Sequence, residues 1–424
     1  MGLCTIIVSR RVKAIIVEIA LLRGKRIILG VSGSIAVYKA VDLASKLTQA
    51  GALVDVVMTE AAQRFIRPLT FQAVSGRPVY TDMWTTETAG GLPSHIAHIG
   101  LAEEADLLLI TPATANTVAK LAHGLADDLL SVTVLAASCP LIIAPAMDGG
   151  MLDNPATQAN LEFLRGGGAH LIEPEQGRLA SGLVGGGRLP ETPTLLGHIR
   201  RVLGLDGPLA GQKLVVTAGG TREALDPVRY LSNRSSGKQG YAIAQAALDA
   251  GAEVVLISAA DIPTPVGANL IPVVSAESML AAVLEHVAGS SALIMAAAVA
   301  DYRPRSVSEQ KIKKSGDSLA LPLERTRDIL MAVKAQREKS GYPMIVVGFA
   351  AESENLVENA SGKLRSKGLD LLVANDISGD DAGFAVDTNR VVALDMDGGL
   401  QAIDLTSKAA IGAYIIERVG GLLA

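Results

Sequence analysis

Residues Ser94–Asn116, SHIAHIGLAEEADLLLITPATAN, place a histidine, a run of helix formers, an apolar strand and a small-residue loop in unbroken succession. Imidazole is the side chain whose ordinary pKa lets it take or give a proton near neutral pH. His98 therefore offers a general base beside the loop Pro112–Asn116, whose Thr114 and Asn116 supply a hydroxyl and an amide. A loop of this kind, past the carboxyl end of a parallel strand, is where open α/β sheets bind ligands. His95 is the rival histidine, and both could equally be surface residues at a helix start.

Three other stretches of the first half point to the same edge. The turn Ser32-Gly33-Ser34 stands between an apolar strand and a helical pattern, where free N–H groups and the helix dipole favour a phosphate. It is not GxGxxG, and an ordinary βα turn also uses Gly and Ser. Thr59 closes a second apolar strand, and Pro145-Ala146-Met147 closes another, followed by Asp148 and Asn154. RLASG, with Ser181, lies between Gly166–Gly168 and Gly185–Gly187, as a hinged flap or a plain surface hairpin would.

The second half offers different chemistry. Gly219-Gly220-Thr221, opening GGTREALDPVRY, would let backbone approach a ligand closely, and two arginines and two acids follow. SNRSSGKQG, Ser232–Gly240, concentrates amide, hydroxyl and cationic donors ahead of a helix, as an anion cradle or a solvated loop would. Lys311, Lys313 and Lys314 form a basic run. Lys363 and Lys367, four apart, share one helix face just after the GFAAE strand and would suit a triphosphate. Asp301 ends ALIMAAAVAD, where it could hold a ribose or a metal ion. No GxxxxGK[ST] occurs, which argues against a Walker-type ATPase.

The elements that must position these residues alternate strand and helix in both halves. Strands are expected at Lys25–Val31, Ala52–Met58, Asp106–Thr111 and Leu141–Ala144, and helices at Ala61–Gln72 and Thr117–Leu135. Five more strands begin with KLVVTAGG at Lys213. This predicts two doubly wound, Rossmann-like parallel-sheet domains, at 25–188 and 213–424, joined by a Pro- and Gly-rich linker at 189–212. Residues 1–24 read as a disordered extension, too short in its apolar runs to span a bilayer. The chain has 424 residues, enough for two cores, and a net charge of -5 with no dominant basic stripe, which argues against nucleic acid. Cys4 and Cys139 form no CxxC, so a reduced, cytoplasmic setting is expected.

Taken together, GVSGSIAVYKA, HIxLAxxAD, PATANT and PAM, then GGTREALDPVRYLSNRSSGKQGYAIA, AAAVADYRP, KIKK and GFAAE, resemble one family over roughly Lys25–Gly398. It is the bifunctional coenzyme A biosynthesis family, in which phosphopantothenoylcysteine decarboxylase is fused to phosphopantothenate-cysteine ligase. The resemblance implies that the first domain is a flavoprotein of the cysteine-decarboxylase type. FMN would lie at Gly33 and Ser34 with Thr59, Thr114, Asn116 and Met147 around it, and His98 would be the base. Asn116 and Asp148 would face substrate. Oxidation of the substrate CH2–SH to a thioaldehyde puts the carboxylate β to a C=S bond, and the hydride is later returned. Two positions depart from the family: its PAMN asparagine is Asp148, and the flap cysteine that donates a proton in many members is Ser181.

For the second domain the resemblance implies CTP-dependent, Mg2+-assisted activation of 4'-phosphopantothenate as an acyl-cytidylate, then attack by cysteine. Asn233 matches the residue handling that intermediate, and Lys311 the KxKK lysine. Asp301, which would also meet the metal, joins Arg327, Asp328, Ile329, Leu330, Phe349, Lys363 and Lys367 in the nucleotide site. A homo-oligomer of ligase dimers and decarboxylase trimers is implied, acting on small molecules and on neither nucleic acid nor membrane. A regulatory flavoprotein subunit and another FMN enzyme, such as a prenyltransferase, are the competing readings. Retention of His98 and of the fused ligase set argues against both.

Overall fold

The computed structural model describes residues 19–84, 96–313, 319–352, 356–376 and 386–424. His95, Lys314 and most of the Thr81–Pro93 segment lie outside these residues, as do positions 1–18. The chain divides into two compact units, Met1–Leu203 and Gly204–Ala424.

The first unit holds β1 (Arg26–Val31), β2 (Leu53–Met58), β3 (Val79–Tyr80), β4 (Leu107–Ala113), β5 (Leu141–Pro145) and β6 (His170–Leu171). They form one sheet in the order β3-β2-β1-β4-β5-β6. Every pairing is parallel. β1 and β4 are buried along their whole length, because helices cover both faces and the strands read as continuous apolar runs. A separate antiparallel hairpin, β7 (Glu175–Arg178) and β8 (Val184–Arg188), carries Ser181 in its connection.

In the second unit β9 (Lys213–Ala218), β12 (Glu253–Ser258), β13 (Asn269–Pro272), β14 (Ala292–Met295), β17 (Ile345–Glu352), β18 (Leu371–Asp376), β19 (Thr388–Asp395) and β20 (Leu400–Ser407) build the main sheet. Its order is β13-β12-β9-β14-β17-β18-β19-β20. Two small hairpins stand apart from it: β10 (Arg222–Ala224) with β11 (Tyr230–Ser232), and β15 (Tyr302–Pro304) with β16 (Leu323–Arg325).

Several expectations are corrected. The segment read as linker contains the helix Thr192–Gly204, whose Leu195 and Ile199 are fully buried in the first unit's core. Its Pro193 lies in the first turn, where proline's missing N–H costs nothing and its fixed φ suits a helix. The segment read as a disordered start is ordered at least from Ile19, and Leu22 is fully buried. The helix expected at Ala61–Gln72 is two, Glu60–Gln63 and Pro68–Ser75, divided before Pro68. The one expected at Thr117–Leu135 is also two, Ala115–Ala122 and Leu129–Ala136, with Gly124 at φ +65° between them. The second sheet is not wholly parallel, since β18, β19 and β20 pair antiparallel.

Candidate active sites

In the first unit the reversal of strand order falls between β1 and β4, the usual position of a ligand crevice in an open sheet. Ser32, just past β1, is buried and ties the two strand ends together. Its Oγ donates to the Pro112 carbonyl at 2.6 Å and accepts the Thr114 N–H at 3.0 Å. Thr114 in turn caps the helix Ala115–Ala122 by accepting from Thr117 N–H at 3.3 Å. Thr59 caps the short helix after β2 in the same way, through Ala62 N–H at 3.2 Å. Gly33 permits that helix to lie close, for a Cβ there would stand 2.6 Å from Ala61 Cβ.

A cavity of about 630 Å³ opens at this edge, lined among others by Ser34, Tyr38, Lys39, Met147, Asp148, Arg178 and Ser181. The hairpin that supplies Ser181 is bound to the Met147 loop by the Met147 N–H donating to the Gly187 carbonyl at 3.1 Å. Ser181 Oγ donates to Asp148 Oδ2 at 2.8 Å, while Asp148 Oδ1 accepts from Gly150 N–H at 3.2 Å. The two positions that depart from the family pattern therefore touch each other. A hydroxyl has one proton, and in this arrangement Ser181 directs it at the Asp148 carboxylate.

His98 lies in the helix Ala97–Glu103 and does not line this cavity, nor do Gly33, Thr59, Thr114 and the exposed Asn116. Its Nδ1 is buried without a hydrogen-bond partner among the described residues, as is Thr111 Oγ1 near the end of β4. Such orphaned polar atoms are costly unless something fills them. Away from this edge, His170 Nε2 and His198 Nδ1 share a hydrogen bond of 2.9 Å. Burial, helped by His170, pulls His198 down to about 4.

In the second unit a cavity of about 600 Å³ is lined by Asp301, Arg327, Asp328, Ile329, Leu330, Phe349, Lys363 and Lys367, with neighbours that include Thr326. All eight were singled out in the sequence. Lys367 Nζ meets Asp328 Oδ2 at 2.8 Å, so this cation is paired within the cavity wall. Burial alone would raise the Asp328 carboxyl, but Lys367 and the backbone N–H of Met331 and Leu330 outweigh it and hold it below the ordinary range.

A second cavity of about 460 Å³ shares Asp301, Phe349 and Lys363 with the first and adds Asn233, Ser235, Lys238, Asn375, Asn389 and Lys408. Asn233 Nδ2 donates to the carbonyls of Ala298 and Val299 at 3.3 and 3.2 Å. Asn375, Asn389 and Lys408 escaped the sequence reading. Lys408 is buried and bonds the Val386 carbonyl; burial and the nearby Lys238 lower its pKa, with Asp387 opposing. Asn389 Nδ2 donates to Asn375 Oδ1 at 3.2 Å. Asn375 ends a strand that was read, but only the antiparallel β19 brings Asn389 beside it.

Gly219, Gly220 and Thr221, placed in the nucleotide site by the resemblance, line neither cavity. The close approach that the glycines allow is to the chain itself: a Cβ on Gly219 would stand 2.6 Å from Ala260 N, and one on Gly220 2.7 Å from the Asn233 carbonyl. Thr221 is fully buried and accepts the Ala300 N–H at 2.9 Å, so it supports the cavity wall from behind. Lys311 is exposed and lines neither cavity. Among the described residues no cluster of three or more His, Cys, Asp or Glu could by itself hold a metal.

Fold and site together define a two-unit α/β protein with an α/β-switch crevice in one unit and adjoining polar cavities in the other. The flavoprotein family model matches residues 18–204, and the DNA/pantothenate metabolism flavoprotein C-terminal domain matches residues 209–422. The chain is 46% identical over 406 residues to the coenzyme A biosynthesis bifunctional protein CoaBC of Bacillus subtilis, covering 95% of this chain and 98% of that one. It is 44% identical over 401 residues to the protein of that name from Vibrio cholerae, covering 94% and 98%. A crystal structure of the C-terminal domain of such a protein covers 51% of this chain and 98% of its own, at 36% identity and a TM-score of 0.44. The chain belongs to the family of coenzyme A biosynthesis bifunctional proteins. It is a bifunctional decarboxylase and ligase, with a flavoprotein domain followed by a DNA/pantothenate metabolism flavoprotein C-terminal domain.

Proposed function

We propose that the second unit joins cysteine to 4'-phosphopantothenate at the expense of CTP, and that the first unit decarboxylates the product to 4'-phosphopantetheine with FMN. The observation that carries the ligase reading is the junction of its two cavities at Asp301, Phe349 and Lys363. An acid seated among the amide, hydroxyl and ammonium donors of Asn233, Ser235, Lys238 and Lys408 would meet a nucleotide seated against Arg327–Leu330 at that point. Carboxylate attack on the α-phosphorus forms the acyl-cytidylate and expels pyrophosphate. The cysteine amine then displaces CMP. Lys363 offsets charge on the phosphates, Lys311 serves the first step, and Asn233 handles the acyl group in the second. Asp301, with the phosphates, would hold Mg2+, an ion that is content with one or two carboxylates plus substrate oxygens.

In the first unit the orphaned His98 Nδ1 and Thr111 Oγ1, together with the Ser34 turn, fit a flavin mononucleotide. The turn signals one phosphate site and not a pyrophosphate. A bound flavin supplies the two-electron chemistry that lets the carboxylate leave. The chain's own part is different. His98 moves a proton at the substrate, the Ser181 hairpin covers the cavity and excludes water, and Met147 and Asp148 shape its wall.

His98 lies outside the cavity formed within its own unit, which supports a homo-oligomer in which another copy completes the site, with decarboxylase trimers and ligase dimers. The free thiol of Cys139 is consistent with the reducing cytoplasm. Two measurements test the reading. Incubation with CTP, Mg2+ and 4'-phosphopantothenate, without cysteine, is expected to yield the acyl-cytidylate mass and pyrophosphate. Denaturation is expected to release FMN; release of FAD, or no acyl-cytidylate, overturns the corresponding half.

A further inference from the structure

The connection between β15 and β16, residues 305–322, carries Lys311, and both ends of this hairpin adjoin the larger ligase cavity through Asp301 and Thr326. Midway it is held at Ile312. Ile312 donates its N–H to Asp226 Oδ2 at 3.1 Å, and its carbonyl accepts from Arg229 Nη2 at 2.6 Å. Arg229 Nε and Nη2 also donate to Asp226 Oδ2, at 2.9 and 2.6 Å. The other oxygen, Oδ1, takes the N–H groups of Val228 and Arg229, both at 2.8 Å, and closes the turn between β10 and β11. A second tether runs alongside, from Ser308 N–H to the Leu225 carbonyl at 3.0 Å.

The Asp226 side chain is fully buried, and an ionised carboxylate is costly to bury unless its partners are well placed. Burial would raise its pKa, yet Arg229 and the three backbone N–H groups hold it far below the ordinary range. Closing the turn needs only Oδ1. The other oxygen, and Arg229 Nη2 beside it, also hold one backbone residue, between Lys311 and Lys313. The same hairpin leads through β11 directly into Asn233.

We propose that Asp226, acting with Arg229, is a positioning residue of the ligase: it latches Ile312 and so sets where Lys311 stands relative to the hairpin that carries Asn233. Neither Asp226 nor Arg229 lines either cavity, so the effect passes through the residues they hold. The inference rests on the ligase reading and on Lys311 serving the acyl-cytidylate step. Asp226→Asn keeps the size of the side chain but leaves one oxygen for donors that now use two. Arg229→Lys keeps a cation on Asp226 and gives up the fork that reaches Ile312.

Both variants are made in the full chain. In each, kcat for pyrophosphate release from CTP and 4'-phosphopantothenate is expected to fall about 10- to 100-fold, the scale of a small misplacement of a reacting group. KM for CTP should stay within about twofold, because the nucleotide cavity is built by other residues. Trypsin should cut after Lys311 or Lys313 at least about tenfold faster, since cleavage follows local opening. Decarboxylation of supplied 4'-phosphopantothenoylcysteine should not change. Wild-type kcat in the variants overturns the proposal, and so does a loss of kcat without faster cleavage. If Asp226→Asn does not fold, Arg229→Lys decides alone. A wild-type chain that releases no pyrophosphate sinks the ligase reading instead, and unchanged cleavage in the variants would then separately refute the latch.

Discussion

The two units differ in how far one chain completes a site. In the second, eight residues from β17, the segments flanking the β15–β16 hairpin and the helices Ile329–Ser340 and Leu356–Lys367 line one cavity, and a second cavity opens from its wall. In the first, Ser34, Met147, Asp148 and Ser181 share a cavity while His98 stands outside it with a buried nitrogen that has no partner among the described residues. A shared sheet edge is therefore weaker information than a shared cavity. Strand ends bring loops to one side of a sheet, but only the packing of the flanking helices and hairpins decides which side chains face the same space.

The largest effect should come from His98→Asn. Loss of a general base costs about 10²- to 10⁴-fold in general acid–base catalysis, so decarboxylation should all but stop while ligation continues. Liquid chromatography of a reaction run from 4'-phosphopantothenate should show 4'-phosphopantothenoylcysteine accumulating. If decarboxylation survives, His98 is not part of the site, and the contrast between the units is one of reading and not of structure.

In the second unit the steps should separate by residue. Asn233→Asp is expected to form the acyl-cytidylate without resolving it, because a fixed negative charge replaces an amide beside an anion. Lys311→Gln should block pyrophosphate release itself. Identical time courses for acyl-cytidylate and pyrophosphate in the two variants would show that the residues do not divide the work.

A smaller effect is expected at Ser181. Since its proton is held by Asp148, Ser181→Ala should leave full turnover within about threefold, with water serving as the final donor. Accumulation of the oxidised aminoenethiol in that variant would show that Ser181 is the donor. Ser181→Cys places a far stronger acid at the same point and should speed the reductive half if that half limits turnover.

The smallest effect concerns pH. His198 is held near 4 in the fold, below its unfolded value of about 6.5, so the neutral form favoured by burial stabilises the first unit fully above that value. The contribution is lost as pH falls from about 6.5 towards 4. The thermal midpoint of the first unit should drop over this window, and His198→Phe should flatten the slope. An unchanged slope would mean that His198 is solvated in solution.

Much of this was legible in the sequence because buried parallel strands read as apolar runs ending in small polar residues. β1, β2, β4, β5, β9, β12, β14, β17 and β18 lie where those runs fall. What escaped depended on non-local packing or on misread punctuation. Pro190, Pro193 and Pro208 suggested a linker, although Leu195 and Ile199, four apart, give a helix its buried stripe. β19 and β20 escape the reading despite the alternation of β19 and the Asp397-Gly398-Gly399 turn. With them went Asn389 and Lys408. For Asp226 and Arg229 the motif was visible, but nothing local links it to Ile312, 83 residues beyond Arg229. At Gly219 and Gly220 a glycine pair suited to a ligand also serves the chain's own close packing, which the sequence alone does not reveal.

The central claim is that one chain performs both reactions in sequence. Its most direct test is mass spectrometry of the products formed by the purified, FMN-loaded protein from 4'-phosphopantothenate, cysteine, CTP and Mg2+. The account predicts 4'-phosphopantetheine, CMP, pyrophosphate and CO2, with 4'-phosphopantothenoylcysteine appearing first and then disappearing. Persistence of 4'-phosphopantothenoylcysteine as the end product, or consumption of CTP without any amide product, would contradict it.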